Sequence, residues 1–162
     1  DPLARHLPLP RAALRLVDAL REVVRRGTPF LGICLGAQVI LERSDEDGGV
    51  DCLGLIPGNV VLLRPADKSE KIPHMGWNSV VLTRRHPVFE GLGDGSEFYF
   101  VHSYYTAPSA RAVVLGETEY GGTKFPSVLG CANMVAMQFH PERSGRLGLK
   151  LLANFSGWDG RC

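Results

Sequence analysis

The chain has 162 residues, of which 44% are apolar and 22% are charged, and its formal net charge is +1. This length suits one domain with a hydrophobic core and is short for two, so we expect a single domain over residues 1–162. A near-zero net charge disfavours nucleic-acid and membrane-surface partners, which attract basic faces. No apolar run approaches the roughly 20 residues that cross a bilayer.

The front of the chain is predicted to form a helix, a strand and a second helix. Residues 11–26, RAALRLVDALREVVRR, place leucines and valines on one helical stripe and end before Gly27. The apolar TPFLGI that follows is predicted to be a short buried strand, and residues 35–43 a helix. Residues 44–49, SDEDGG, are predicted to be a loop.

Strand-like segments dominate the rest of the chain until a closing helix. This amphipathic helix is predicted at about residues 145–155. Helices at both ends with strands between them indicate an α/β domain. The predicted strand segments are VVLL (60–63), NSVVL (78–82), FYFVHSYY (98–105), AVVLG (112–116) and MVAMQFH (134–140).

The four cysteines are Cys34, Cys52, Cys131 and Cys162, and no two of them form a C-x-x-C pair. A zinc site or a thioredoxin-like redox site is therefore not expected, and no histidine spacing suggests another metal site. A chain with an ample core does not need disulfides. We therefore interpret the cysteines as free thiols in a reducing compartment, the cytoplasm.

Cys34 lies in GICLG, between a predicted strand and a predicted helix. A residue at such an elbow adopts a strained turn and points away from the sheet, and Gly32 and Gly36 leave room for the backbone around it. The N-terminus of the next helix favours a thiolate, and the amide of Leu35 is placed to donate to an oxyanion. These features favour a nucleophile over a buried structural cysteine, which is the commoner fate of a lone cysteine.

A cysteine nucleophile needs a base, and VAMQFHPERSG (135–145) contains a candidate. The two-residue period of the predicted strand puts His140 and Glu142 on one side, at the strand's end, because Pro141 has no amide donor. Glu142 can then fix the imidazole tautomer and leave the second ring nitrogen for the thiol. The alternative is an ordinary surface His–Glu pair, and only the combination with the Cys34 elbow argues against it.

These residues resemble the class I (triad) glutamine amidotransferases, in which G-x-C-x-G-x-Q is followed far downstream by F-H-P-E. Within that family, further segments over residues 20–155 resemble the glutaminase subunits of imidazole glycerol phosphate synthase. PHMGWN together with FYFVHSYY is the narrowest signal. The segments are GLIPGNVV (54–61), KIPHMGWNSV (71–80), FYFVHSYY (98–105), EYGG (119–122) and HPERSGRLGLKLLANF (140–155).

The resemblance implies a flavodoxin-like open sheet and a glutaminase with the triad Cys34, His140 and Glu142. The thiolate attacks the glutamine carboxamide, His140 protonates the departing ammonia, and water then cleaves the glutamyl thioester. No cofactor is needed. The family's glutamine-binding positions correspond to Gln38, Glu46 and the backbone around His102, Ser103 and Tyr104.

The resemblance also implies a partner protein. In the family, ammonia passes to a (β/α)8-barrel cyclase subunit in a heterodimer. There it is used to make imidazole glycerol phosphate and aminoimidazole carboxamide ribotide, in histidine biosynthesis. Positions that face the cyclase correspond to Trp77, Asn78, Tyr99 and Arg143, the last of which is usually Lys in the family.

One feature departs from the family's pattern. Members have a further upstream βαβ stretch that ends in a P-G-V-G loop and completes the oxyanion hole, and residues 1–20 contain no such motif. We therefore expect an open sheet that lacks its first βαβ segment. Two other interpretations stay open: the amidotransferase subunit of anthranilate or aminodeoxychorismate synthase, and a truncated remnant without activity.

Overall fold

The computed structural model describes residues 11–161, with side chains from residue 15 onward. This part of the chain contains ten strands and three α-helices. The helices are α1 (Arg11–Arg25), α2 (Leu35–Val39) and α3 (Gly145–Gly157). The strands are β1 (Phe30–Ile33), β2 (Arg43–Ser44), β3 (Val50–Asp51), β4 (Gly58–Leu62), β5 (His74–Leu82), β6 (Ser96–His102), β7 (Tyr104–Pro108), β8 (Val114–Tyr120), β9 (Thr123–Cys131) and β10 (Met134–Met137).

The larger sheet has six strands in the order β1-β10-β9-β8-β5-β6, and the smaller has the order β3-β2-β4-β7. In the larger sheet β1 and β10 run parallel, with Ile33 opposite Met137, and the other neighbouring pairs are antiparallel. Parallel strands end at the same edge of a sheet. The residues that follow Ile33 and Met137 therefore lie side by side.

The core of the larger sheet is rich in aromatic rings. Phe98, Phe100, Phe125 and Phe139 are each at most 1% exposed, and the rings of Phe98 and Phe139 stack with centroids 4.2 Å apart. Buried aromatic pairs contribute large contact areas with specific geometry. They hold β6 firmly against the segment that follows β10.

The first helix and first strand are confirmed, whereas α2 is shorter than predicted. It ends at Val39 rather than at residue 43, because Arg43 and Ser44 pair in register with β3 and β4. Tertiary strand pairing here overrides a local pattern that suits a helix.

The middle of the chain differs from prediction in two strands. The segment 98–105 is two strands rather than one, since Ser103 separates β6 from β7 and the two belong to different sheets. Strand β9 was not predicted, although it lies between β8 and β10. Its sequence contains Pro126 and Gly130, residues that are depleted in strands.

Candidate active site

Cys34 lies between β1 and α2 in a backbone conformation that L residues rarely adopt. Its φ is 49° and its ψ is −104°, which confirms the strained elbow. A Cβ built on Gly32 would lie 2.7 Å from the carbonyl oxygen of Gly36, so the turn requires glycine at position 32. Beyond its neighbours in the same helix, a Cβ on Gly36 would meet no described atom within 4 Å, so the expected need for glycine there is not seen.

The Cys34 thiol is partly buried and lies among polar groups. Gln138 Nε2 donates to Sγ at 3.7 Å, and Sγ lies 3.9 Å from the carbonyl oxygen of Val101. Burial is the largest cause that raises the pKa of the Cys34 thiol, and the charge of Glu142 also raises it, whereas the amide of Leu35 and Gln138 lower it. Burial of the thiol therefore opposes the thiolate that the N-terminus of the next helix is expected to favour.

His140 Nδ1 lies 2.6 Å from Glu142 Oε1. The 3₁₀ turn Pro141–Arg143 makes this contact, not the strand period, because β10 already ends at Met137. A carboxylate only accepts, so the neutral form of this imidazole carries its proton on Nδ1 and has its lone pair at Nε2. This Nε2 is buried and has no hydrogen-bond partner among the described atoms.

The parallel strands bring Cys34 and His140 to one edge of the larger sheet. The Cys34 amide donates to the carbonyl oxygen of Met137 at 2.8 Å, so Gln138 follows beside the cysteine and His140 comes two residues later. The His140 amide donates to the carbonyl oxygen of Tyr99 at 2.8 Å, which ties this segment to β6. A nucleophile on a strained turn and an oriented imidazole are the two parts that acyl transfer through a thiol requires.

Gln38, expected to bind glutamine, is buried and engaged inside the protein. Its Nε2 donates to the carbonyl oxygen of Tyr104 at 2.8 Å and lies 3.3 Å from Gln138 Oε1. The amide nitrogen of Gln38 is thus occupied, and its Oε1 is the atom left for a ligand.

The other expected glutamine-binding residues lie in two places. His102 ends β6 with a buried side chain, and Ser103 is the half-buried link to Tyr104 in β7. Glu46 begins a short 3₁₀ turn, and its side chain is exposed. Within the described residues no hydrogen bond joins Glu46 to the residues around Cys34.

Three of the four residues expected at a partner surface lie together, and we call Trp77, Tyr99 and Arg143 the Trp77 patch. The rings of Trp77 and Tyr99 meet edge to face with centroids 6.2 Å apart, and the Arg143 guanidinium lies 4.5 Å from the Tyr99 ring centroid. Trp77 is 55% exposed. Asn78 is not part of the patch, because it projects from the other face of β5 and donates to the carbonyl oxygen of Glu119 at 2.8 Å.

Sequence reasoning assigned no role to two residues of this region, Gln138 and His74. Gln138 touches the Cys34 thiol, and its place two residues before His140 was a usable signal. His74 Nδ1 lies 2.9 Å from His102 Nε2. This contact depends on the pairing of β5 with β6, so no pattern in the neighbouring sequence could have predicted it.

Among the described residues, no group of three or more His, Cys, Asp or Glu side chains could hold a metal ion. Nor is any helix between residues 11 and 161 long and apolar enough to cross a membrane.

Curated relatives are similar to this chain over most of its length. The imidazole glycerol phosphate synthase subunit HisH of Aromatoleum aromaticum is 50% identical over 148 residues, which cover 86% of this chain and 69% of the relative. HisH of Methanocaldococcus jannaschii is 49% identical over 140 residues, which cover 86% of this chain and 69% of the relative. HisH of Herpetosiphon aurantiacus is 51% identical over 141 residues, which cover 85% of this chain and 63% of the relative. The chain thus spans about two thirds of the length of these relatives.

Solved structures and family comparison agree on the fold. A glutamine amidotransferase from Thermotoga maritima matches with a TM-score of 0.61 at 18% identity, over 90% of this chain and 54% of that one. A chain of PurLQS from the same organism matches with a TM-score of 0.64 at 16% identity, over 88% and 67%. Both confirm the predicted α/β open-sheet class.

Residues 9–156 match the family Glutamine amidotransferase class-I. The chain therefore belongs to the class-I glutamine amidotransferases, and within them to the HisH subunits of imidazole glycerol phosphate synthase.

Proposed function

We propose that this chain is the glutaminase subunit of imidazole glycerol phosphate synthase, which hydrolyses glutamine to glutamate and ammonia. The observation that supports the chemistry best is the His140–Glu142 pair. Its 2.6 Å contact leaves a buried, unpartnered Nε2 at the sheet edge where Cys34 lies on its strained turn. The HisH relatives support the biosynthetic assignment.

In the proposed reaction, His140 Nε2 takes the proton from Cys34 Sγ as the sulfur attacks the glutamine carboxamide carbon. Coupling the two steps suits a thiol whose pKa is raised, since no free thiolate has to accumulate. Glu142 orients the imidazole and stabilises its charged form. The Leu35 amide donates to the developing oxyanion.

The second half of the reaction returns the enzyme to its starting state. The His140 imidazolium gives its proton to the amine nitrogen, the C–N bond breaks, and ammonia leaves a glutamyl thioester on Cys34. His140 then accepts a proton from water as the water attacks the thioester carbon. Glutamate departs, and Cys34 regains its proton.

Glutamine binding would use Gln38, Glu46 and the backbone of residues 102–104. Gln38 has only its Oε1 to offer, because Nε2 is engaged with Tyr104 and Gln138. The Oε1 and the exposed Glu46 carboxylate suit the α-ammonium group of the substrate, and backbone groups of residues 102–104 suit its carboxylate.

The ammonia would pass to a (β/α)8-barrel cyclase subunit in a cytoplasmic heterodimer. The Trp77 patch supports a partner at this face, since exposed aromatic rings and an arginine beside a catalytic edge are typical of interface hot spots. Released beneath such a partner, ammonia would be shielded from solvent.

Covalent labelling tests the proposed nucleophile. A glutamine-mimicking chloroketone should label Cys34 stoichiometrically in the protein bound to the cyclase, with peptide mass spectrometry as the measurement. Cys34→Ala should abolish glutamine-dependent synthesis and leave ammonia-dependent synthesis intact, while the control Cys52→Ala should change neither. Labelling chiefly at Cys52, Cys131 or Cys162 would refute the assignment.

A further inference from the structure

A chain of hydrogen bonds runs from β5 to the carbonyl group that holds Gln38. Asn78 Nδ2 lies 3.2 Å from His74 Nε2, His74 Nδ1 lies 2.9 Å from His102 Nε2, and His102 Nδ1 lies 2.9 Å from the carbonyl oxygen of Tyr104. We call Asn78, His74, His102 and Tyr104 the histidine relay.

The polarity of the relay is fixed at its Asn78 end. Asn78 Oδ1 accepts from the amide of Ser79 at 2.8 Å, and its Nδ2 donates to the carbonyl oxygen of Glu119 at 2.8 Å. Because both partners are backbone groups, the orientation of the side-chain amide is determined. Asn78 therefore donates to His74 Nε2, and that nitrogen must be the acceptor.

The Tyr104 end requires the same polarity. A carbonyl oxygen only accepts, so His102 Nδ1 carries its proton and His102 Nε2 accepts from His74 Nδ1. Both rings are thus neutral, with the proton on Nδ1. A second proton on either ring would set two donors against each other.

Burial keeps both rings neutral. His74 is 2% exposed and His102 is 6% exposed. The pKa of each ring is lowered to about 4, and burial is the largest cause. The charge of His102 lowers the pKa of His74 further. The charge of His140 does the same for the pKa of His102. The carbonyl of Tyr104, which accepts from His102, acts in the opposite direction and does not outweigh burial.

Aromatic neighbours hold the relay in place. The His74 ring stacks on Phe100 and Tyr120, with centroids 4.8 Å and 4.2 Å away. A ring held in this way has little freedom to break and remake its hydrogen bonds.

The relay ends close to the nucleophile. The carbonyl oxygen of Tyr104 accepts from both His102 Nδ1 and Gln38 Nε2, at 2.9 Å and 2.8 Å. Gln38 Nε2 lies 3.3 Å from Gln138 Oε1, and Gln138 Nε2 lies 3.7 Å from Cys34 Sγ. A shift of the Tyr104 carbonyl would therefore be felt at the thiol.

We propose that His74 and His102 are positioning residues for the reaction of Cys34. Through the Tyr104 carbonyl they hold Gln38 and Gln138 in the orientation that directs the Gln138 amide at the thiol. The inference rests on the glutaminase function proposed above.

Nitrogen NMR tests the relay independently of activity. Long-range ¹⁵N–¹H spectra of the intact protein at pH 7 should show both His74 and His102 as neutral rings protonated on Nδ1, the less common tautomer of free imidazole. An Nε2-protonated or charged ring at either position would overturn the proposal. If instead Cys34→Ala kept glutamine-dependent synthesis, the proposed function would fail with the tautomers unaffected.

Two variants of His74 separate hydrogen bonding from ring packing. His74→Phe keeps a stacking ring and loses both nitrogens, whereas His74→Asn loses the ring and keeps an amide nitrogen near the place of Nδ1. Relay positioning predicts that kcat/KM for glutamine falls roughly tenfold or more in His74→Phe, because small displacements at a reacting centre cost rate steeply, and falls less in His74→Asn.

The control is His86→Phe, which removes a second buried histidine of lowered pKa that contacts Trp158. Its kcat/KM should stay within twofold of the wild type, and ammonia-dependent synthesis should be unchanged in all three variants, measured with the cyclase bound. A His74→Phe enzyme as active as the wild type, or more active than His74→Asn, would overturn the proposal.

Discussion

At the scale of single residues, the elbow at Cys34 depends on a glycine that precedes it. A Cβ on Gly32 would lie 2.7 Å and 2.9 Å from the carbonyl oxygen and carbon of Gly36, both backbone atoms of the next turn. Backbone cannot yield as a flexible side chain can. The strained conformation of Cys34 is thus built on the close approach of two turns of chain.

Gly32→Ala should therefore destabilise the protein by about 1–3 kcal/mol, the usual cost of inserting a methyl group into a packed site. Gly36→Ala is the matched control. Beyond its neighbours in the same helix, the new Cβ meets no described atom within 4 Å. Because alanine stabilises a helix relative to glycine by about 0.5–1 kcal/mol, Gly36→Ala should not destabilise the protein. Urea unfolding would measure both, and equal effects of the two substitutions would contradict the close approach.

The buried histidines make stability depend on pH. The pKa values of His74 and His102 fall from 6.5 to about 4 on folding, so the unfolded chain binds more protons between these limits. Above pH 6.5 both rings are neutral in the folded and in the unfolded chain. As pH falls toward 4, protonation of the unfolded chain lowers the free energy of unfolding by on the order of 3 kcal/mol per ring.

Urea unfolding between pH 7 and pH 4 should accordingly show a falling free energy of unfolding. His74→Phe, which removes one titrating ring, should flatten this slope relative to the wild type. A variant with an unchanged slope would show that the rings do not stay neutral in the folded state.

At the scale of elements, α3 supports the turn that carries the His140–Glu142 pair. Ser144 Oγ donates to the carbonyl oxygen of His140 at 2.6 Å and accepts from the amide of Tyr99 at 2.9 Å. Four residues later, a Cβ on Gly148 would clash with the carbonyl group of Pro141. The helix thus lies directly against the backbone of the 3₁₀ turn.

Gly148→Ala should push α3 away from this turn, at a cost of about 3 kcal/mol or more in stability. Glutamine hydrolysis should fall with it, because Glu142 would no longer be aligned with His140. Gly157→Ala, in the same helix with no described atom within 4 Å of the new Cβ, is the control and should be nearly neutral. Thermal unfolding and glutaminase assays would check both, and a stable, active Gly148→Ala variant would contradict this packing.

At the scale of the whole molecule, the Trp77 patch lies next to the catalytic edge. Arg143 follows Glu142 directly, and its guanidinium lies over Tyr99. A partner carboxylate bound to Arg143 would act on the turn that positions His140.

Arg143→Glu should therefore weaken binding of the cyclase and uncouple glutamine hydrolysis from cyclase ligands, with the fold intact. Lys150→Glu makes the same change of charge on α3 beside Gly91, and should leave affinity unchanged. Titration calorimetry is the measurement. Unchanged affinity and unchanged stimulation in Arg143→Glu would refute this interface.

Local sequence was enough for the parts of the site that depend on neighbouring residues. The strained turn at Cys34 follows from a glycine-flanked cysteine between an apolar run and a helix. The His140–Glu142 contact follows from two residues that are two positions apart, even though a 3₁₀ turn makes it rather than a strand. The α/β class, the first helix and the family were also readable, because periodicity and motif are properties of contiguous segments.

The parts of the fold and of the site that the sequence did not predict depend on contacts between distant segments. Strand β9 forms despite Pro126 because β8 and β10 flank it, and the pKa of Cys34 rises because packing buries the thiol. His74 meets His102 only through the register of β5 on β6, and Gln138 meets Cys34 only because β10 runs parallel to β1. Strand pairing and burial are set by the whole chain, so tertiary structure alone decided which polar groups surround the nucleophile.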